Sequence, residues 1–264
     1  MTETLDRYLA APTLSEAWLR LVRRVYDSGH DKAVHVLLRI ADPAANDPAI
    51  EAAAQALIDD WNGRHSDNKQ MYDVLATRNT IFPASWASRH PEPADLAEYY
   101  RDRYPRLRKH DSNNRFGTYF GRIVAYPRAV KHGAAEEIGD QLSELVGKLR
   151  QESQNPGPKS SRYEVGIFSE RWDTNTMSFP CLAHLSFHLH DGALHQQAIY
   201  RNEYLVGRAY GNYLGLAQLQ CYIASACNLA VGEFLVTIGH LQLDGRRGAI
   251  KEMLASYAGK EGEP

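Results

Sequence analysis

Three residues in the second half of the chain could do chemistry together if the fold gathers them: a cysteine, an arginine and an asparagine. Cys181 follows Phe179-Pro180 and sits just before a predicted strand, where a side chain can project into a cleft. By composition alone a lone cysteine reads as a small core hydrophobe. Cys221 and Cys227 lie within an apolar helical stretch and keep that reading. Tyr200-Arg201-Asn202 comes after a predicted hairpin, and ten residues past it Asn212 opens a helix. A guanidinium fork suits a phosphate bidentately. An asparagine amide offers a donor and an acceptor, which matches the N3–H and O4 edge of a uracil ring.

Other chemistries are less well supplied. His184, His188 and His190 alternate with Leu185, Phe187 and Leu189, so all three point to one face of a strand. His-x-His provides two of the imidazoles that a metal site needs. Nothing nearby completes such a site by spacing, and a polar face of this kind can instead meet water or a partner sheet. The expectation is no metal. Glycine-rich phosphate loops are absent, and Gly207 and Gly239 stand alone, as bulge or turn residues.

The elements that must position these residues follow from periodicity. Apolar residues at 14, 18, 21, 22 and 25 predict a helix, and Ala33–Ile40 predicts a strand. Asp47-Pro48 starts an alanine-rich helix over 52–61. The three-proline stretch 78–97 reads as an ordered loop running into a helix near 93–104, and the basic run Arg101–Lys109 as a solvated helix end. A helix over 136–150 ends at Gln154-Asn155-Pro156-Gly157-Pro158. Strands are expected at about 162–169, 182–190 and 194–201, the last two joined by an Asp191-Gly192 hairpin turn. A helix over 213–227 and a strand over 232–243 complete the pattern. Without a repeated βαβ rhythm or a linker, this predicts one α+β domain spanning 1–264.

Composition narrows the partners. The 264 residues carry Lys+Arg 30 against Asp+Glu 32, a net charge of −2, with no long run of one sign, which argues against a dedicated nucleic-acid binder. Three cysteines do not make a disulfide framework. No apolar run approaches a membrane span, and MTETLDRYLAAPTLSE lacks a basic segment followed by an apolar core. A cytoplasmic protein without nucleic-acid or membrane partners is expected.

Pro180-Cys181, Asp191-Gly192, Tyr200-Arg201, Gly207, Asn212 and Val231-Gly232-Glu233-Phe234 leading to Gly239 resemble, without a gap, the thymidylate synthase family, which includes the pyrimidine nucleotide hydroxymethylases. Tyr119-Phe120-Gly121-Arg122 and the helix after it look like the family's Tyr-Gly-Arg segment, and Asn155-Pro156 through Arg162 looks like its Asn-Pro-x-Ser-Arg-Arg loop. The resemblance is clearest over 115–245, and 1–114 are divergent. It implies a single domain with a mixed sheet packed against helices, in a sheet-to-sheet homodimer whose site is shared between subunits. It further implies that Cys181 is the nucleophile, adding as thiolate to C6 of a pyrimidine nucleoside monophosphate, with neighbouring arginine lowering the thiol pKa. Arg201 would hold the 5′-phosphate, Arg162 would reach it from the partner, and Asn212 would read the base. Asn202 and Gln242 would complete the substrate contacts, and 5,10-methylenetetrahydrofolate would supply one carbon.

The chain also departs from that pattern. Ser161 replaces one arginine of a pair, with Lys159 near it. Tyr204 stands where the family has a folate-contacting aspartate, and Gln242 and Asp244 stand where a histidine and a tyrosine bind the sugar. No equivalent of the family's catalytic glutamate or of its apolar C-terminal tail is found. Hydroxymethylation is therefore favoured over methylation. The alternatives are a folate-independent enzyme, exchanging the C5 proton or cleaving the base–sugar bond, and a non-catalytic nucleotide-binding protein.

Overall fold

Thr13 ends one element and begins the next. In the computed structural model, which describes residues 6–66, 69–110, 114, 116–128, 138–154, 163–175 and 179–258, β1 (Tyr8–Thr13) runs directly into α1 (Leu14–Asp27). The Thr13 hydroxyl accepts the Glu16 N–H at 3.2 Å, a helix N-cap. The apolar stripe that predicts this helix, Leu14, Trp18, Leu21, Val22 and Val25, is wholly buried. β1 was not expected from sequence, because Leu-Ala-Ala-Pro has low strand propensity. Its Pro12 is tolerated at an edge, where β1 pairs in parallel with β2 (Lys32–Asp42) alone.

The helical middle of the chain holds one correction. α2 (Pro48–Asn62) starts at Pro48 behind an Asp47 cap, as its sequence signals. The stretch 78–97 expected as a loop instead begins inside α3 (Val74–Ile81) and contains the single turn α4 (Ala84–Ala87), before α5 (Pro93–His110). Val-Leu-Ala-Thr-Arg-Asn-Thr-Ile is a weak helix former by propensity, so tertiary packing must hold it. α6 (Tyr119–Val124), the two-residue strands β3 (Tyr126–Pro127) and β4 (Ile138–Gly139), and α7 (Gln141–Gln154) follow.

The rest of the chain builds the sheet. β5 (Glu164–Gly166), shorter than expected, precedes β6 (Leu182–His190), β7 (Ala193–Tyr200) and β8 (Glu203–Tyr204). A five-residue π-helix, Leu205–Ala209, leads into α8 (Tyr210–Ala226). The long strand β9 (Ala230–Gln242) and α9 (Arg247–Ser256) come last. The sheet order is β1-β2-β9-β7-β6-β5, with β8 also beside β9. β9 pairs antiparallel with β2 and parallel with β7, so the sheet is mixed and the class is α+β. Phe187, Leu194, Phe234, Val236 and Ile238 bury one sheet face against the helices. On the other face Leu37, Leu235 and Ile199 stay partly exposed beside the Arg39–Glu233 ion pair and a Gln197–Thr237 hydrogen bond.

The expected histidine stripe lies on that second face. His184 Nε2 meets Glu164 Oε2 at 2.5 Å, the Ser186 hydroxyl donates to Glu164 Oε1 at 2.7 Å, and His188 Nε2 lies 3.2 Å from the same hydroxyl. Among the described residues no group of three or more His, Cys, Asp or Glu is placed to hold a metal ion, and no helix is long and apolar enough to cross a membrane.

Two glycines decide where the longest buried helix sits. A Cβ on Gly211 would stand 2.8 Å from the Val74 carbonyl oxygen, and one on Gly215 the same distance from the Arg78 carbonyl oxygen. α3 and α8 therefore touch backbone to backbone, one turn apart on α8, which is what holds α3 in place. Gly215→Ala should gain about 1 kcal/mol of helix propensity but lose more to overpacking, for a net loss of about 1–2 kcal/mol. A thermal melt checks this, and an unchanged or raised Tm would show that the two helices can separate freely.

Candidate active site

Cys181 and Arg201 are brought together by a two-residue turn. Asp191 and Gly192 both have positive φ (48° and 76°), the geometry of a tight turn whose twist matches its flanking strands. That turn sets the register of β6 against β7 as far as His184, and a one-residue bulge between Leu182 and His184 then shifts it, so that the Arg201 N–H donates to the Cys181 carbonyl oxygen at 2.9 Å. β9 passes on the other side, where Gly239 comes so close that a Cβ would lie 3.1 Å from the Arg201 carbonyl oxygen. Gly239 is thus a strand residue at a close backbone approach.

A cavity of about 340 Å³ opens at this end of the sheet. Cys181, just before β6, Asn202, between β7 and β8, and Asn212, in α8, all line it. Arg201 and Gln242 do not. The Arg201 guanidinium donates from Nε to the Pro180 carbonyl and from Nη2 to the Phe179 carbonyl, both at 2.8 Å, and so braces the turn before Cys181. Gln242 Nε2 donates to Asn202 Oδ1 at 3.3 Å, and His240 Nδ1 lies 2.8 Å from that same oxygen. This leaves the Asn202 amide nitrogen free to favour the Cys181 thiolate. Arg162 lies outside the described residues.

Several cavity residues were missed from sequence. Arg208, on the π-helix, lines the cavity with its guanidinium 4.5 Å from the Tyr72 ring centre and, among the described residues, has no carboxylate partner. Tyr119 lines it from α6, whose Arg122 forms a buried two-point ion pair with Asp173, both contacts at 2.8 Å. Phe116 and Tyr204 form a partly exposed aromatic rim. Glu203 is fully buried at the inner end, its Oε1 accepting from Asn212 Nδ2 at 2.8 Å. Only Asn212, of these two, carried a signal in the sequence; a glutamate beside an asparagine in a two-residue strand carries none.

The electrostatics correct one expectation. Burial and the Glu203 carboxyl push the Cys181 thiol above the ordinary thiol range, and the pull of Arg201, Arg208 and the Asn202 hydrogen bond does not overcome them. Burial pushes Glu203 itself up to about 8, against the opposing Asn212 hydrogen bond. The site therefore holds a thiol and a carboxylic acid that both keep their protons at neutral pH.

The thymidylate synthase family model matches residues 54–254, well over half of the chain and reaching further toward the N-terminus than the residues that carry the resemblance. No curated protein sequence matches.

A raised thiol has a direct consequence. Cys181 should react with iodoacetamide more slowly than a free thiol at neutral pH, with the rate climbing steeply only in the alkaline range. Arg208→Ala removes a charge that favours the thiolate, so it should slow the neutral-pH reaction further. Peptide mass mapping separates Cys181 from Cys221, and rapid neutral-pH labelling of Cys181 would contradict the assignment.

Proposed function

The chain belongs to the thymidylate synthase family, and from that membership we propose that it modifies C5 of a pyrimidine nucleoside monophosphate through an adduct of Cys181 with C6 of the base. At the level of the family the activity is one-carbon transfer to pyrimidine C5. The observation that carries the finer reading is the placement of Cys181 on a cavity wall together with two amides and a guanidinium that has no carboxylate partner among the described residues.

The chemistry suits those groups. An electron-poor pyrimidine ring accepts a soft thiolate at C6, which turns C5 into a carbon nucleophile. Asn212 turns its Oδ1 to the ligand, because its amide nitrogen is held by Glu203. Arg208 offers a full guanidinium to a phosphate within the cavity. Arg201 has two donors committed to backbone carbonyls, so in this reading it holds Cys181 in place and meets phosphate with what remains of its fork. Gln242 acts through Asn202, which it orients toward the sugar side of the ligand. Arg162 completes the phosphate site from the partner subunit.

The exposed rings of Phe116 and Tyr204 fit a flat pterin at the cavity mouth. They would hold methylenetetrahydrofolate, which supplies the one-carbon unit when bound. Tyr204 meets it with a neutral phenol where the family has a carboxylate. That weaker contact favours hydroxymethylation, in which water ends the reaction, over reductive methylation. The same substitution supports a second reading, in which the Cys181 adduct serves C5 proton exchange without folate.

The half-exposed sheet face supports a homodimer packed sheet to sheet. Its apolar Leu37, Leu235 and Ile199 sit among residues already paired within the sheet, so a second copy could cover them without stranding a charge. Sedimentation at micromolar concentration should show a dimer, and monomer alone would remove this part of the proposal.

Cys181→Ser exchanges a thiol for a hydroxyl that scarcely ionises, so turnover should fall by several orders of magnitude while nucleotide affinity changes little. Tritium release from 5-labelled UMP or CMP, with and without methylenetetrahydrofolate, reads the reaction. Release only with folate supports transfer, release without it supports proton exchange, and none at all supports a binding protein. Near-normal activity in Cys181→Ser would sink the adduct.

A further inference from the structure

The cavity holds a carboxyl for which the roles above have no use. Glu203 is 1% exposed, and its Oε1 is taken by Asn212 Nδ2. Among the described residues, neither Glu203 Oε2 nor Asn212 Oδ1 meets a hydrogen-bond partner, and both residues line the cavity. Buried polar atoms are rarely left unpaired. Here two of them stand on side chains that are bonded to each other, which makes a rigid two-point edge.

The surroundings decide which end of that edge donates. Glu203 is faced by Asn212 and Tyr213 of α8, Asp244 after β9, Arg208 of the π-helix, Tyr119 of α6, Tyr200 of β7, and Cys181. Arg208 is the one cation among them. Burial first, then the like charge of Asp244, outweigh it, so the carboxyl is pushed up to about 8. Oε2 then carries the proton at neutral pH and is a donor, with Asn212 Oδ1 beside it as an acceptor.

Resting on the nucleotide reading, we propose that Glu203 is a catalytic acid of this site, pairing with the pyrimidine edge together with Asn212 and protonating the ring as Cys181 adds. The sulfur forms the S–C6 bond, and the C5=C6 electron pair shifts toward C4. O4 of a uracil, or N3 of a cytosine, takes the Oε2 proton. The proton given up by the thiol replaces it on Glu203, directly or through water, so the net step adds S–H across the ring. The arrangement answers the need set by Cys181, since a thiolate is scarce there and the ring must be made more electrophilic to be attacked. It also supplies an acid from a position where the family's own glutamate is not found.

A structural role would look different. Tyr200 and Tyr213 hydroxyls are also without partners among the described residues, and water bridging them to Oε2 would make Glu203 a packing group with no effect on chemistry. Glu203→Gln separates the two, because glutamine keeps the shape and a donor but cannot transfer a proton. It should bind UMP and CMP within about threefold of wild type by calorimetry, yet release C5 tritium about a hundredfold or more slowly. The wild-type rate should bend downward as pH rises through about 8, the limb where Oε2 loses its proton, and the glutamine variant should lack that bend. Glu203→Asp should recover part of the rate, and it carries the comparison if circular dichroism shows the glutamine variant unfolded. An active wild type matched by an equally active Glu203→Gln with the same pH limb would overturn the acid role and leave the nucleotide reading standing. A wild type that neither binds these nucleotides nor releases tritium would overturn the nucleotide reading, and the acid role with it. If wild type binds without releasing tritium, infrared spectra decide: a carboxylic-acid band, absent from Glu203→Gln, that shifts on nucleotide binding keeps Glu203 at the base edge, and an unmoved band removes it.

Discussion

Asp244 accepts the backbone N–H groups of Val206 and Gly207, at 2.7 and 3.0 Å, and the side of the cavity that carries Glu203, Arg208 and Asn212 depends on those two bonds. They pin the start of a π-helix, a winding rarely found in isolation and common at functional sites. From the other side, the Trp18 indole N–H donates to the Leu205 carbonyl oxygen at 2.8 Å, tying the same segment to the first helix. Gly207 has no room for a side chain, since a Cβ would stand 2.8 Å from the Asp244 carboxylate. The wide turn held in this way lets Glu203, Arg208 and Asn212 face one space, although only nine residues separate the first from the last.

The interior chemistry of that space is governed by burial more than by charge pairing. Two arginines stand close enough to favour the Cys181 thiolate, and they still lose to desolvation and to the neighbouring carboxyl. The same desolvation keeps Glu203 neutral. A thiol that stays protonated is protected from adventitious oxidation, but it is a poor nucleophile, and in the proposed reaction it depends on the acid beside it to activate the ring. The two raised groups are thus parts of one arrangement.

The two sheet faces divide the labour. One face is an apolar core against α1 and α8, and α8 gains its close approach to α3 from Gly211 and Gly215. The other face is a network of satisfied polar groups, in which Glu164 takes up His184 and Ser186, interspersed with partly exposed aliphatic side chains. The first face positions Asn212 from behind. The second leaves a surface suited to an apolar partner while keeping its charges paired.

Much of this was legible in the residues alone. Strong periodicity and short-range turn chemistry marked α1, α2, β6 and β7, because those signals are local: Asp191-Gly192 specifies its own turn and the register next to it, whereas the bulge between Leu182 and His184 that sets Cys181 against Arg201 has no such local signal. Asn212, by type and spacing, and Asn202, by the resemblance, were named as candidates from the sequence, and both line the cavity. Tertiary structure alone decided the rest. α3 exists because two glycines elsewhere in the chain let it pack, which no window around residues 74–81 can reveal. Arg201 has the chemistry of a phosphate ligand, yet the nearby Phe179 and Pro180 carbonyls claim two of its donors. Whether a glutamate is ionised, or a thiol reactive, depends on how much water reaches it and which charges surround it. Those are properties of a three-dimensional neighbourhood drawn from α6, β7, the π-helix, α8 and the end of β9, and no single stretch of sequence contains them.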